Sequence, residues 1–343
     1  GNAAGMSTAT RLRRLDETAE IVVLERGENI SYASCGLPYH LSGTVAEDDL
    51  TVMGSEQLAA AFNLDIRTGV AATNVDPDTQ TVSVTAADGE PAAIAYDDLV
   101  IATGAKPLVP PMFDLSELEH CHTLRTVPDA TAIREGMTGD ERALVIGGGY
   151  IGLEVAENLS EAGNDVVVAE LLEQVMPNTL GPEMAARVES RLRDRGVDLR
   201  LGTGVDSLTE PGDGTVVATT DGSRETFDLV VVATGVTPRT ELAESAGVEL
   251  HDSGAVAVDD RMRTSTPSIH AVGDVAAPPA ARTDGNAWVP LGGPANRMGR
   301  VAANDIAGRD DRLDPVLDTS IAKVFDLDVG TVGDTAAALD EAG

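Results

Sequence analysis

The stretch RALVIGGGYIG, residues 142–152, constrains this chain more than any other, because a buried-strand pattern runs directly into glycines and then into a helical pattern. Gly147, Gly149 and Gly152 form G-x-G-x-x-G, with Tyr150 and Ile151 inside the turn. Only glycine lets the backbone turn this tightly and approach a pyrophosphate, which then rests on the helix N-terminus and its partial positive charge. By itself the pattern is weak, since glycine turns also serve helix–strand packing. Here the strand 142–147, the turn, the helix 153–163 and the strand 165–170 make a complete βαβ unit, and Glu170 stands where a ribose 2′-hydroxyl is bound. Leu171, Leu172 and Glu173 follow it, with no arginine or lysine to meet a 2′-phosphate, so NADH is expected rather than NADPH.

A second copy of the same grammar opens the chain. Residues 4–15, AGMSTATRLRRL, read as a helix and residues 19–25, AEIVVLE, as a buried strand. The first strand and first glycine of this copy are expected upstream of Gly1, since the chain does not begin with methionine. Gly1 and Gly5 remain of its glycine turn, and Glu25, followed by Arg26, stands where a second ribose acid belongs. Read alone, these residues fit packing as well as binding. Each copy is followed by an alternating β segment: 70–90 around an Asp-Pro-Asp-Thr turn, and 215–227 around an Asp-Gly turn. Each then runs into a strand ending in Ala-Thr-Gly, at 99–104 and 229–235, which places Thr103, Gly104 and Gly235 at equivalent points. In IHAVGDV, 269–275, Gly273 and Asp274 follow an apolar strand; Asp274 suits the polyol hydroxyls of a cofactor with a ribityl chain, or a helix cap.

Composition narrows the class. Asp and Glu number 57 against 24 Lys and Arg, a formal charge of −33, and only Lys106 and Lys323 are lysines. Such a surface repels phosphate backbones and anionic lipid, so neither nucleic acid nor membrane is an expected partner. Hydrophobic content of 42% with long Val/Ile runs argues for a folded core and against disorder. The charge instead suggests a halophilic protein, whose self-repulsion salt screens. Two distant cysteines, Cys35 and Cys121, read as an intracellular, cytoplasmic chain, and no apolar run approaches the roughly 20 residues of a membrane-spanning helix.

Cys35 lies among turn formers in SYASCGLPYH, 31–40. Ser34 is placed to cap a helix whose first turn holds Pro38, leaving Cys35 beside exposed backbone amides that lower a thiol pKa. The alternative is a buried cysteine acting as a small hydrophobe. With two nucleotide sites in the chain, the reactive thiol is the better reading.

These motifs, with TSTPSIHAVGDV (264–275) and VPLGGPANRMGRVAANDIAG (289–308), make a recognisable set. The chain resembles the FAD and NAD(P)H-dependent pyridine nucleotide-disulfide oxidoreductases over nearly its whole length. Within them it is most similar to the single-cysteine branch of coenzyme A disulfide reductases and NADH oxidases. The resemblance implies an α/β fold of two Rossmann-like, glutathione-reductase-like dinucleotide-binding domains, with the start of a C-terminal α+β interface domain. The expected boundaries are FAD domain 1–110 and 238–315, NAD(H) domain 111–237, and interface domain from 316 to 343. It implies FAD and NADH as cofactors, Cys35 as the catalytic thiol, Tyr150 as the ring that covers the flavin, and a homodimer in the full-length protein. Two-cysteine relatives have C-x-x-x-x-C, whereas here the flanks are Ile30 and His40, so Cys35 must cycle through a mixed disulfide or a sulfenic acid. Peroxidase-type relatives carry an active-site histidine in the first glycine turn, where this chain has Ala3; that favours CoA disulfide, persulfide or polysulfide over oxygen as acceptor.

Coenzyme A needs cations for its phosphates, and RLRR, 11–14, offers Arg11, Arg13 and Arg14. By resemblance Arg11 and Arg14, with Ser31, Ser34, Asn296 and Arg297, line the route to Cys35; a solvated helix end is the other reading. EHCH, 119–122, has zinc-type ligands, but an extended segment points His120 and His122 one way and Cys121 the other, and no second cluster of such residues is visible, so no metal is expected. An oxygen-reducing NADH oxidase and an electron-transfer flavoprotein serving an iron–sulfur partner remain as alternatives.

The charge yields a first prediction. The screening length falls from about 10 Å at 0.1 M salt to about 3 Å at 1 M. The thermal unfolding midpoint should therefore rise between those KCl concentrations. A midpoint that stays put or falls would show that self-repulsion does not limit this fold.

Overall fold

The computed structural model describes residues 1–86, 89–212, 214–220, 222–282, 285–333 and 335–336. The chain divides into two compact units. One comprises residues 1–32, 51–106 and 237–317; the other comprises 33–50, 107–236 and 318–343. Residues 33–50, which carry Cys35, thus group with the second unit and not with the rest of segment 1–110, and the segment after 317 does the same.

In the second unit five parallel strands form one sheet in the order Asp198–Arg200, Asp165–Ala169, Arg142–Ile146, Leu229–Val232, Cys121–His122. Its inner strands are buried on both faces, which is why Ala143–Ile146 and Val166–Ala169 read as unbroken apolar runs. From the central strand 142–146 the chain first steps outward through the helix Tyr150–Glu161. It later returns to place 229–232 on the other side, so the strand order reverses beside the glycine turn. A three-stranded antiparallel sheet, Ser207–Thr209, Val216–Thr220 and Ser223–Phe227, packs Leu208, Val216, Ala218 and Phe227 into the same core as Leu144, Val167, Val230 and Cys121. The expected Asp-Gly turn includes Asp221, which lies outside the described residues. The hairpin Thr319–Val324 with Leu327–Val332 belongs to this unit, while residues 337–343 of the expected interface domain lie outside those described.

In the first unit the strand Val22–Leu24 pairs in parallel with Asp65–Arg67, and Leu99–Ile101 with Ile269–Ala271. The helices Ala3–Leu15 and Gly292–Ile306 belong here. The expected β segment is an antiparallel meander of Val70–Asp76, Thr81–Ala86 and Pro91–Ala95; its first turn is closed by Asp76, whose side chain accepts the amides of Asp78 and Thr79. Residues 87–88 of that segment lie outside the described residues. Val75, Val82, Ile101, Met262, Ile269 and Met298 form the shared core.

Candidate active site

The glycine turn of the second unit is held by one carboxylate. Glu170, buried at the end of its strand, accepts the amide of Gly148 at 2.6 Å and that of Leu172 at 2.8 Å. Gly149 is the N-cap of the helix Tyr150–Glu161 and provides no side chain to satisfy the first-turn amides, which are left to meet an anionic ligand. Gly152 is where size matters most: a Cβ there would stand 1.9 Å from the Gly147 carbonyl oxygen and 3.5 Å from the Ala233 methyl.

The first unit repeats this arrangement residue for residue. Glu25 lies 3.0 Å from the Gly1 nitrogen and accepts the Gly27 amide at 2.8 Å. Asn2 is the N-cap of the helix from Ala3, and a Cβ on Gly5 would lie 3.3 Å from the Ala102 methyl. Gly1 therefore matches Gly148, Asn2 matches Gly149 and Gly5 matches Gly152. The residues fit a second dinucleotide in the same pose, as FAD requires. Arg26, beside Glu25, is exposed.

The two Ala-Thr-Gly motifs are also equivalent in their hydrogen bonds. The Thr103 hydroxyl donates to the Arg239 carbonyl, and the Arg239 amide to the Gly104 carbonyl. The Thr234 hydroxyl donates to the Leu108 carbonyl, and the Leu108 amide to the Gly235 carbonyl. Gly273 takes a positive φ of 79° in the 3-10 turn Gly273–Val275, where a Cβ would lie 2.7 Å from Ala4. The N-cap of that turn is Val272, so Asp274 does not cap it; its carbonyl accepts the Trp288 indole at 2.8 Å.

Cys35 is exposed, as a reactive thiol must be. It sits in a 3-10 turn, Ser34–Gly36, that leads into the short helix Leu37–Leu41 with Pro38 in its first turn. One expectation fails here. Ser34 is not the helix cap: Ala33 caps the 3-10 turn and Gly36 the helix, neither through a side chain, because Ser34 is itself the first residue of the turn that precedes the helix. The helix is fastened to Tyr150–Glu161 by the Ser42 hydroxyl, 2.7 Å from Asn158 Oδ1. Cys121 is the opposite case. Burial, then the neighbouring Glu210 charge, push its thiol up to about 12, so it stays protonated.

Near Cys35 the structure brings in groups that spacing did not single out. Burial raises the Tyr39 phenol above its ordinary value, helped by the charges of Glu154, Glu157 and Cys35. Glu154, one turn along the helix from Tyr150, is raised to about 7 by burial and by Glu157. A carboxyl titrating there can hold or release a proton near neutrality. The Tyr150 hydroxyl itself is bonded to those of Ser320 and Thr331, which are 2.7 Å apart.

In the first unit Arg11 and Arg14 do converge. With Ser7, Thr10 and Arg300 they line a cavity of about 320 Å³. Arg300 was not anticipated from sequence, because it comes from the helix Gly292–Ile306. Arg11 is aligned by Asn304 at 2.9 Å, and Arg14 stacks on Phe62, 5.1 Å from the ring centroid. Arg13 is spent elsewhere, donating to the carbonyls of Asp16, Glu17, Phe62 and Asn63. Asn296 accepts the hydroxyl of the cavity residue Ser7, whereas Arg297 is exposed and lies 3.9 Å from Asp314. Ser31, at φ 54°, bonds to the Gly1 carbonyl through its amide.

The shift on Glu154 has a definite sign. Its folded pKa of about 7 lies above the ordinary 4.5, so the stability it contributes is complete below about 4.5 and is lost as pH rises through 7. In urea unfolding, Glu154→Gln should gain on the unmodified chain over that window, by at most about 3 kcal/mol. A pH-independent difference would mean that the carboxyl titrates normally.

The geometry agrees with three comparisons. The profile described as pyridine nucleotide-disulphide oxidoreductase matches residues 1–300. The "NADH oxidase" of Methanocaldococcus jannaschii is 35% identical over 97% of this chain and 75% of its own length. The "NAD(P)H sulfur oxidoreductase (CoA-dependent)" of Pyrococcus abyssi is 36% identical over 97% and 74%. The crystal structure of reduced Bacillus anthracis CoADR-RHD superposes with a TM-score of 0.95 at 40% identity, covering all of this chain and 62% of that one. This chain therefore spans about three quarters of those curated relatives and under two thirds of that solved structure. Its glycine turns and α/β sheet are in keeping with these matches, and the chain belongs to the pyridine nucleotide-disulphide oxidoreductase family.

Proposed function

We propose that this protein reduces coenzyme A disulfide, or a related persulfide or polysulfide, through Cys35. The observation that carries this reading is the cluster of Arg11, Arg14 and Arg300 around one cavity with the Ser7 and Thr10 hydroxyls, in a chain of charge −33. So strongly anionic a protein has little reason to gather three guanidinium groups unless they meet an anion, and guanidinium forks suit phosphate oxygens. The names of the sulfur-reducing relatives and of the solved CoADR-RHD support the same class of substrate.

Bound FAD and NADH would supply the two electrons. The residues that would hold them are Gly1, Asn2, Gly5 and Glu25 for FAD, with Asp274 at the ribityl chain, and Gly147, Gly149, Gly152 and Glu170 for NADH. Cys35 thiolate attacks the substrate disulfide, forming a Cys35–CoA mixed disulfide and releasing one CoA thiolate. Two electrons then cleave that bond, releasing the second CoA thiolate and restoring Cys35. Tyr39 and Glu154 keep the proton that a leaving thiolate takes up. NADH is preferred over NADPH because Leu171 and Leu172, exposed beside Glu170, present no cation to a 2′-phosphate. We further infer a cytoplasmic, salt-adapted homodimer; the exposed Ile321 and Val332 on the C-terminal hairpin support an interface there.

The deciding experiment is the intact mass of protein purified in high salt from a CoA-containing host, before and after mild reductant, with Cys35 mapped by peptide. A reducible CoA-sized adduct is expected on Cys35 and not on Cys121. An oxygen adduct instead would favour the NADH oxidase reading, and an unmodified, unreactive thiol the electron-transfer one. For the cavity, Arg300→Ala should raise the KM for CoA disulfide about tenfold, one charge-assisted contact, with little change in flavin reduction by NADH. An unchanged KM would remove the cavity from the reading.

A further inference from the structure

The segment Glu119-His120-Cys121-His122 carries zinc-type ligands that the proposed chemistry does not use. On sequence grounds it fails as a metal site for want of partners. The tertiary structure supplies one. Glu210, which follows the strand Ser207–Thr209, places Oε1 2.5 Å from His120 Nδ1, while its Oε2 accepts the backbone amides of Glu119 at 2.7 Å and His120 at 3.3 Å. The carboxylate of Glu119 completes a set of three ligand atoms that all lie within 4.8 Å of one another.

We propose that Glu119, His120 and Glu210 form a binding site for a divalent transition metal of the zinc class. One imidazole and two carboxylates form a mixed N/O donor set, which suits zinc, cobalt or nickel; calcium and magnesium prefer oxygen alone. The two amides fix Glu210 by one oxygen and leave the other facing His120, the kind of outer-shell support that orients metal ligands.

The site is separate from the nucleotide turn. His120 immediately precedes the edge strand Cys121–His122, and its carbonyl accepts the Val230 amide near the start of the strand Leu229–Val232. It lies at the N-terminal edge of the parallel sheet, whereas the glycine turn follows the C-terminal end of the strand Arg142–Ile146. By joining the sheet edge to the end of the strand 207–209, a bound metal would brace the unit without touching the chemistry.

The test uses the whole chain carrying Cys35→Ser, since an exposed thiol also binds zinc. Chelator-stripped protein in molar KCl, which screens weak binding to the acidic surface, is titrated with Zn²⁺ by equilibrium dialysis and with Co²⁺ by absorption. About one metal per chain should be held, with a Co²⁺ spectrum lacking thiolate charge transfer and a metal-dependent rise in the melting midpoint. His120→Ala should abolish all three signatures. Glu119→Gln, an exposed change that leaves the amide bonds of Glu210 intact and keeps the comparison sound should His120→Ala misfold, should weaken binding about tenfold or more. Absence of saturable binding, or equal binding by parent and Glu119→Gln, would overturn the proposal and assign any retained metal to the acidic surface at large.

Discussion

A carboxylate bonded back to a glycine turn is the constraint on which both halves of this protein depend. Glu170 and Glu25 each tie the end of one strand to the turn that precedes a helix: Glu170 accepts the Gly148 amide, Glu25 lies 3.0 Å from the Gly1 nitrogen, and each accepts the amide two residues beyond itself. The bond fixes where the helix begins, and the absence of side chains at Gly152 and Gly5 lets that helix lie against Ala233 and Ala102. Only with the helix so close do its unsatisfied amides stand where a pyrophosphate can reach them. The acid thus holds the turn in place.

Charge distribution sets the second level of organisation. A chain with 57 acidic residues must keep its carboxylates apart or pair them, and many arginines are used that way: Arg200 and Arg142 both clasp Glu225, lowering its carboxyl to about 2. Arg13 closes a helix end against carbonyls. Against that background the cavity of Arg11, Arg14 and Arg300 stands out, because Arg11 is aligned by the Asn304 side-chain amide and Arg14 stacks on the Phe62 ring.

The two cysteines show how position decides reactivity. Cys121 belongs to the second unit's core among Leu144, Val167 and Val230, and burial keeps its thiol protonated. Cys35 is exposed on a turn whose helix is fastened to the one that carries Tyr150 and Glu154. The proton-holding groups and the thiol are thereby gathered on elements that pack together, although more than a hundred residues separate them in the chain.

Much of this was legible in the linear chain. Both glycine turns, the acids at the ends of the strands that follow them, the alternating meanders and the Ala-Thr-Gly strand ends follow from local rules of backbone freedom and side-chain period, which act over a few residues. What sequence left open depends on side chains meeting across long separations. Arg11 and Arg13 sit on one helix with equal charge, and only packing sends one to a cavity and the other to carbonyls. Arg300 joins them from a distant helix. Ser34 satisfies every local rule for a cap, yet it opens a 3-10 turn that moves the helix start beyond it. Glu154 is a surface-type residue until the fold buries it beside Glu157, and Glu210 meets His120 only when the antiparallel sheet is in place. The sequence by itself determined the fold class, the two nucleotide-binding turns and the identity of the exposed thiol, because those are set by local geometry. Only the tertiary structure decided which charges converge, because burial and proximity belong to the folded chain alone.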